Sequence, residues 1–127
     1  MMTNEKLIQM AYEAMENAYV PYSKFQVGAA LLTKSGKVYK GCNIENASFG
    51  ATNCAERTAI FKAISEGEQE FEKLAVVSNS KKFTYPCGIC RQVMSEFMMD
   101  AVMLFDDEEK GIIEIPMTKI LPYKFDL

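Results

Sequence analysis

Leu74-Ala75-Val76-Val77-Ser78 (LAVVS) runs five residues without a charge. A strand with one wet face alternates apolar and polar residues, so a short continuous apolar stretch predicts a strand covered on both faces. Such a strand belongs at the centre of a sheet with helices on either side. Immediately upstream, Ala59, Ile60, Ala63 and Ile64 give a helix from about Asn53 to Gly67 its inner face, with Asn53 as the expected cap. Immediately downstream, after a loop from Asn79 to Tyr85, Pro86 can open a helix without losing a hydrogen bond, and Val93, Met94, Phe97 and Met98 form its apolar stripe.

Further out, Phe25 to Thr33 and Val38 to Ile44 flank a short Lys34–Lys37 turn and predict a hairpin. Ala101 to Phe105 and Ile112 to Ile115 flank DDEEKG, a turn short enough to require antiparallel pairing. Leu7, Met10, Ala11, Ala14, Met15 and Ala18 recur at helical spacing behind Thr3 and Asn4, so a first helix is expected to about Asn17. The ending KILPYKFDL reads as a tail too short for another element. Helix, two strands, helix, strand, helix, two strands predicts an α/β fold, a three-layer α/β/α sandwich around a mixed five-stranded sheet.

The 127 residues match the usual size of one domain, expected to span residues 1–127. Lys and Arg total 14 against 17 Asp and Glu, a net charge of −3, the wrong sign for a surface that tracks a phosphate backbone. No apolar run approaches the ~20 residues needed to span a bilayer. The absence of histidine excludes Ser-His-Asp and Cys-His nucleophile pairs and any imidazole base. A transition metal must then be held mainly by thiolates. The N-terminal stretch, with Asn4, Glu5 and Lys6, does not read as a signal peptide, so a reducing cytoplasm is expected. There, clustered cysteines more often bind metal or do redox chemistry than staple a fold. The nine methionines read as core filler.

Chemistry concentrates in PCGIC, residues 86–90, and NCAER, residues 53–57. Cys87 and Cys90 at a helix start can face one side, and alone they fit a redox pair, half of a structural zinc site, or a catalytic metal site. Cys54 changes the balance, because it opens the other helix after a similar strand-loop passage. Two parallel helices starting at one sheet edge would bring three sulfurs together, leaving one tetrahedral position open, as in catalytic rather than structural zinc sites. Cys42, on a strand, reads as a small buried hydrophobe. Glu56 is the carboxylate expected beside the open position; the competing role is a capping box folded back onto Asn53.

These stretches, with FQVGAALL, GCNIENASFG and the LPYKF tail, resemble the small homotetrameric cytidine deaminases over nearly the whole chain. Zinc deaminases carry a metal ligand, x, Glu, then P-C-x-x-C, with the glutamate as non-ligand acid and base. Cysteine stands here where many relatives have histidine, which fits a three-cysteine branch. The resemblance implies one zinc per subunit on Cys54, Cys87 and Cys90, with Glu56 catalytic. It implies that Asn43 and Glu45 grip the ribose 3′-hydroxyl, that Phe25 lines the base and sugar pocket, and that the Ala55 backbone meets the pyrimidine amide edge. It further implies that Ala47, Phe49 and Phe125 reach a neighbouring subunit's site, and that Arg57 hydrogen-bonds the sulfurs of Cys54 and Cys87.

Three thiolates and one zinc sum to −1, which weakens the ion's pull on water. Arg57 adds +1 and two helix N-termini about +0.5 each, restoring a local sum of about +1. The function expected is hydrolytic deamination of cytidine and deoxycytidine to uridine and deoxyuridine, with ammonia released for pyrimidine salvage. Deamination of a related aminopyrimidine nucleoside such as blasticidin S is the alternative. A non-catalytic zinc module and a polynucleotide deaminase stand further off.

Overall fold

The computed structural model describes residues 1–127 throughout. Strands β1 (Val27–Thr33), β2 (Val38–Cys42), β3 (Phe71–Ser78), β4 (Val102–Asp107) and β5 (Gly111–Pro116) form one sheet in the order β2-β1-β3-β4-β5. The central strand is therefore the one that carries LAVVS. Only β3 and β4 are parallel, and their crossover is the helix α3 (Gly88–Phe97). The other neighbours pair antiparallel.

Alternation across the register sorts the core into two layers. Ala30, Ala75 and Leu104 are partners across β1, β3 and β4 and face α1 (Asn4–Met15), where Leu7, Ile8, Ala11 and Met15 pack on them. One residue along, Ala29, Val76 and Phe105 face the other way, onto Ala59, Ile60 and Ala63 of α2 (Ala55–Ser65) and Met94 of α3. Five methionines, Met15, Met94, Met98, Met103 and Met117, are buried in these layers, as core filler should be.

Two glycines set how closely the helices lie. A Cβ at Gly28 would stand 2.0 Å from the Ala11 carbonyl oxygen of α1, and one at Gly41 would stand 2.4 Å from the Ala55 carbonyl oxygen of α2. Both distances lie far inside van der Waals contact, so only glycine lets these helices touch the sheet there.

The structure departs from the sequence reading at several ends. The cap of α2 is Cys54, one residue past Asn53, whose side chain instead donates to the Thr58 hydroxyl (3.0 Å). Likewise α3 begins at Gly88 with Cys87 as its cap, leaving Pro86 outside the helix. Phe97, expected in the inner stripe, is exposed while Met94 and Met98 fill the core. The loop before α2 holds a short 3-10 turn at Phe49–Ala51. Between β5 and the tail stands a further element, the one-turn helix α4 (Met117–Ile120), which takes in only Lys119 and Ile120 of the tail and forms because Met117 and Ile120 find apolar cover in the α2 and α3 layer. No helix is long and apolar enough to cross a membrane.

Candidate active site

Helices α2 and α3 begin beside each other, and in both the cap position is a cysteine, Cys54 and Cys87. Cys54 therefore sits where the helix's unpaired N–H groups and positive dipole end favour a thiolate. Cys90, in the first turn of α3, is fully buried and its amide N–H donates to Cys87 Sγ (3.5 Å). The local chain is firmly held. Ile44 and Asn53 exchange a pair of backbone hydrogen bonds of 3.0 Å each, and the Thr58 hydroxyl donates back to the Cys54 carbonyl (3.1 Å). On the other helix, Arg91 Nε donates to the Pro86 carbonyl (2.8 Å) and Nη1 to the Ile120 carbonyl (2.9 Å), tying the PCGIC turn to α4.

The three sulfurs of Cys54, Cys87 and Cys90 all lie within 4.8 Å of one another, and the Cys54 and Cys87 sulfurs are 3.8 Å apart. Tetrahedral zinc at a Zn–S distance of about 2.3 Å separates two ligand sulfurs by ~3.8 Å, so the donor set fits zinc in both chemistry and spacing. Cys42 is half-buried and stands outside the cluster. Burial pushes its thiol up, with Lys62 opposing weakly, which suits an inert packing residue.

Charge at the cluster is managed by Arg57 and by hydrogen bonding between the thiols. Arg57 Nη2 donates to Cys54 Sγ (3.2 Å), one of the two sulfurs the resemblance assigns to it. Arg57 Nε is buried without a partner. Hydrogen bonding from Cys90, then from Arg57, holds the Cys54 thiol well below its usual range, while Cys90, buried against that thiolate, is pushed up.

Glu56 is 4% exposed and makes no capping-box bond to Asn53. Burial, reinforced by the nearby Cys54 thiolate, raises its carboxyl to about 7 in the metal-free chain, with Arg57 opposing. A cavity of about 190 Å³ opens over Glu56, Cys54, Cys87 and Ala55, and Phe25, Val27 and Asn43 complete it from the β1 side. Thr84 and Tyr85, just before PCGIC, also line it. Neither was singled out from sequence, where nothing but their position ahead of Pro86 marked them.

The family model for the cytidine and deoxycytidylate deaminase zinc-binding region matches residues 1–106. The chain belongs to this family. A cytidine deaminase from Halalkalibacterium halodurans is 52% identical over 125 residues, covering 98% of this chain and 95% of the relative. The solved cytidine deaminase of Burkholderia pseudomallei superposes with a TM-score of 0.92 at 45% identity, covering 98% of this chain and all of that one. A blasticidin-S deaminase from Bacillus cereus is more distant, 29% identical over 128 residues, 94% of this chain and 90% of the relative. The fold is thus that of a cytidine deaminase, and the protein is a zinc-dependent enzyme of that family.

The remaining sequence-predicted residues divide into two groups. Asn43 and Glu45 each hold polar groups of residues 22–27. Asn43 lines the zinc cavity but its side chain bridges β1, accepting from the Val27 amide (3.0 Å) and donating to the Phe25 carbonyl (2.8 Å). Glu45 lies in a neighbouring cleft with Tyr22, Ser23 and Phe49, accepting from the Tyr22 and Ser23 amides and from the Ser23 hydroxyl. The Ser23 hydroxyl bond leads in holding its carboxyl below the usual range, so it stays ionised. Ala47, Phe49 and Phe125 line no part of the zinc cavity; Phe49 is 79% exposed and Phe125 66% exposed.

Proposed function

We propose that this protein hydrolyses cytidine and deoxycytidine to uridine and deoxyuridine, releasing ammonia. The observation that carries the reading is the trio of sulfurs at zinc-binding spacing beside a buried carboxyl, within a cavity rimmed by Phe25. Cys54, Cys87 and Cys90 hold the metal, which when bound acts as a Lewis acid and makes water nucleophilic near neutral pH. Glu56 takes a proton from the attacking water and gives it to the ring nitrogen beside the amine-bearing carbon. It then moves the hydroxyl proton to the departing amine, so the C–N bond breaks as ammonia forms and a carbonyl remains.

On the substrate side, Phe25 packs on the base and sugar, the Ala55 backbone meets the pyrimidine amide edge, and Asn43 and Glu45 take the ribose 3′-hydroxyl. Ala47, Phe49 and Phe125 complete the site of a neighbouring subunit in a homotetramer. Exposed Phe49, Phe61, Ile89, Phe97 and Phe125 are the large apolar side chains such an assembly would cover. The substrate is a free nucleoside met in a reducing cytoplasm as part of pyrimidine salvage; four unpaired cysteines accord with the reducing setting.

A colorimetric ammonia assay with cytidine, set against Glu56→Ala as control, tests the reaction. Ammonia from the wild type alone is the expected result, and no ammonia from zinc-loaded wild type refutes it. Light scattering tests the assembly, with about 57 kDa expected, four times the 14.3 kDa chain. A fully active monomer would refute shared sites.

A further inference from the structure

Residues 20–26 join α1 to β1 with neither helix nor strand of their own, and they carry Phe25 to the rim of the zinc cavity. Little within this connection holds it beyond a bond from the Phe25 amide to the Ser23 hydroxyl (3.0 Å). Its one internal backbone bond runs from the Lys24 amide to the Val20 carbonyl (3.1 Å). Lys24 itself has φ 61°, a left-handed conformation that a lysine keeps only when its surroundings impose it. The imposing groups come from two directions. From beyond β2, Glu45 fixes Tyr22 and Ser23, and Asn43 fixes Phe25 and Val27. From beyond β3 comes Asn79, whose Nδ2 donates to the Lys24 carbonyl (3.0 Å) and whose amide donates to the Gln26 carbonyl (3.0 Å).

We propose that Asn79 is a positioning residue for substrate binding, clamping the left-handed Lys24 so that Phe25 is held at the rim of the zinc cavity. Its side chain supplies the only hydrogen bond the Lys24 carbonyl receives. Asn79 is the first residue past the central strand, whose last five residues are all buried, so it refers the loop to the most rigid part of the sheet. It does not line the cavity, and it acts on substrate only through Phe25. Asn43 and Glu45 hold the same loop and, under the reading above, also meet the sugar. The clamp by Asn79 therefore keeps Phe25 in register while those two side chains engage ligand. The inference rests on that reading for its effect on substrate, while the clamp itself does not depend on which nucleoside is bound.

Asn79 is exposed, so Asn79→Ala and the near-isosteric Asn79→Leu leave the core intact. Hydrogen exchange read by mass spectrometry should quicken across residues 20–27 in both variants and stay unchanged in α2. KM for cytidine and the calorimetric Kd for uridine should each rise about three- to tenfold, with kcat within about twofold, as expected for losing one modest hydrogen bond that orders a binding surface. Zinc stoichiometry and melting temperature should match wild type. Unchanged exchange in residues 20–27 overturns the clamp. Quickened exchange with KM and uridine Kd unmoved overturns its role in positioning, as does a fall in kcat with KM unchanged. Wild-type protein that leaves cytidine intact refutes the deaminase reading alone, since the exchange comparison still decides the clamp.

Discussion

Gly41→Ala tests whether the sulfur cluster depends on how closely α2 lies on the sheet. Gly41 is paired with Ala29 in β1, and the new methyl would stand 2.4 Å from the Ala55 carbonyl oxygen, 2.6 Å from the Ala59 nitrogen and 3.1 Å from its Cα. All three are backbone atoms of one helix, so no side chain can swing aside and the helix itself must retreat by ~1 Å to reach ordinary contact. Overpacking of this kind costs about 1–3 kcal/mol. Cys54 caps that helix, while Cys87 and Cys90 belong to α3 and stay in place. Ligand distances tolerate only about 0.2 Å, so zinc should bind about ten- to a hundredfold more weakly, the strain being relieved when the Cys54 bond is given up.

Gly28→Ala is the matched control. Its methyl would meet the Ala11 carbonyl oxygen at 2.0 Å, a more severe clash, but with α1 on the opposite face of the sheet. Urea denaturation of the metal-free proteins should show both variants destabilised. Competition with a chromogenic chelator should show zinc affinity lost in Gly41→Ala and retained in Gly28→Ala. Equal zinc affinity in the two variants, at comparable loss of stability, would refute the reasoning.

Glu56→Ala should keep one zinc per chain and its melting temperature while losing nearly all turnover; substantial residual ammonia release would remove Glu56 from the chemistry. Arg57→Gln, which deletes the charged donor to Cys54, should weaken zinc about tenfold or move the pH-rate profile upward, and an unchanged profile with full metal content counts against it. In the metal-free protein the Glu56 carboxyl is raised to about 7, above its unfolded value. Its stabilising contribution is therefore complete below about pH 4.5 and disappears as pH rises through about 7. The stability difference between metal-free wild type and Glu56→Gln should change across that window, as measured by urea midpoints, and a difference flat with pH would contradict the burial argument. Dialysis against a strong chelator should abolish turnover and restore it on adding zinc; activity surviving complete metal removal would rule out the zinc mechanism.

Much of this protein was legible in its sequence. A five-residue apolar run between two helical patterns is enough to make β3 central, because a strand covered on both faces has no reason to alternate. Zero histidines and three cysteines at two helix starts narrow the metal site to thiolates by themselves. Glu56 was readable from its position two residues past Cys54.

Other features could be decided only in three dimensions. Helix ends moved by one or two residues, because Cys54 and Cys87 act as caps in place of the better hydrogen-bonding Asn53 and the stiffer Pro86. The chain between β5 and the tail forms a helical turn because Met117 and Ile120 find cover that a local reading cannot see. Asn43 and Glu45 alternate in the chain, but that each holds different backbone groups of the residues 20–27 segment is visible only in the folded chain. Thr84, Tyr85 and Asn79 reach the site or its supports from the end of another strand. Periodicity and residue chemistry are short-range properties and survive in one dimension. Which donor meets which acceptor across 55 residues, as Asn79 meets Lys24, depends on the sheet that brings them together.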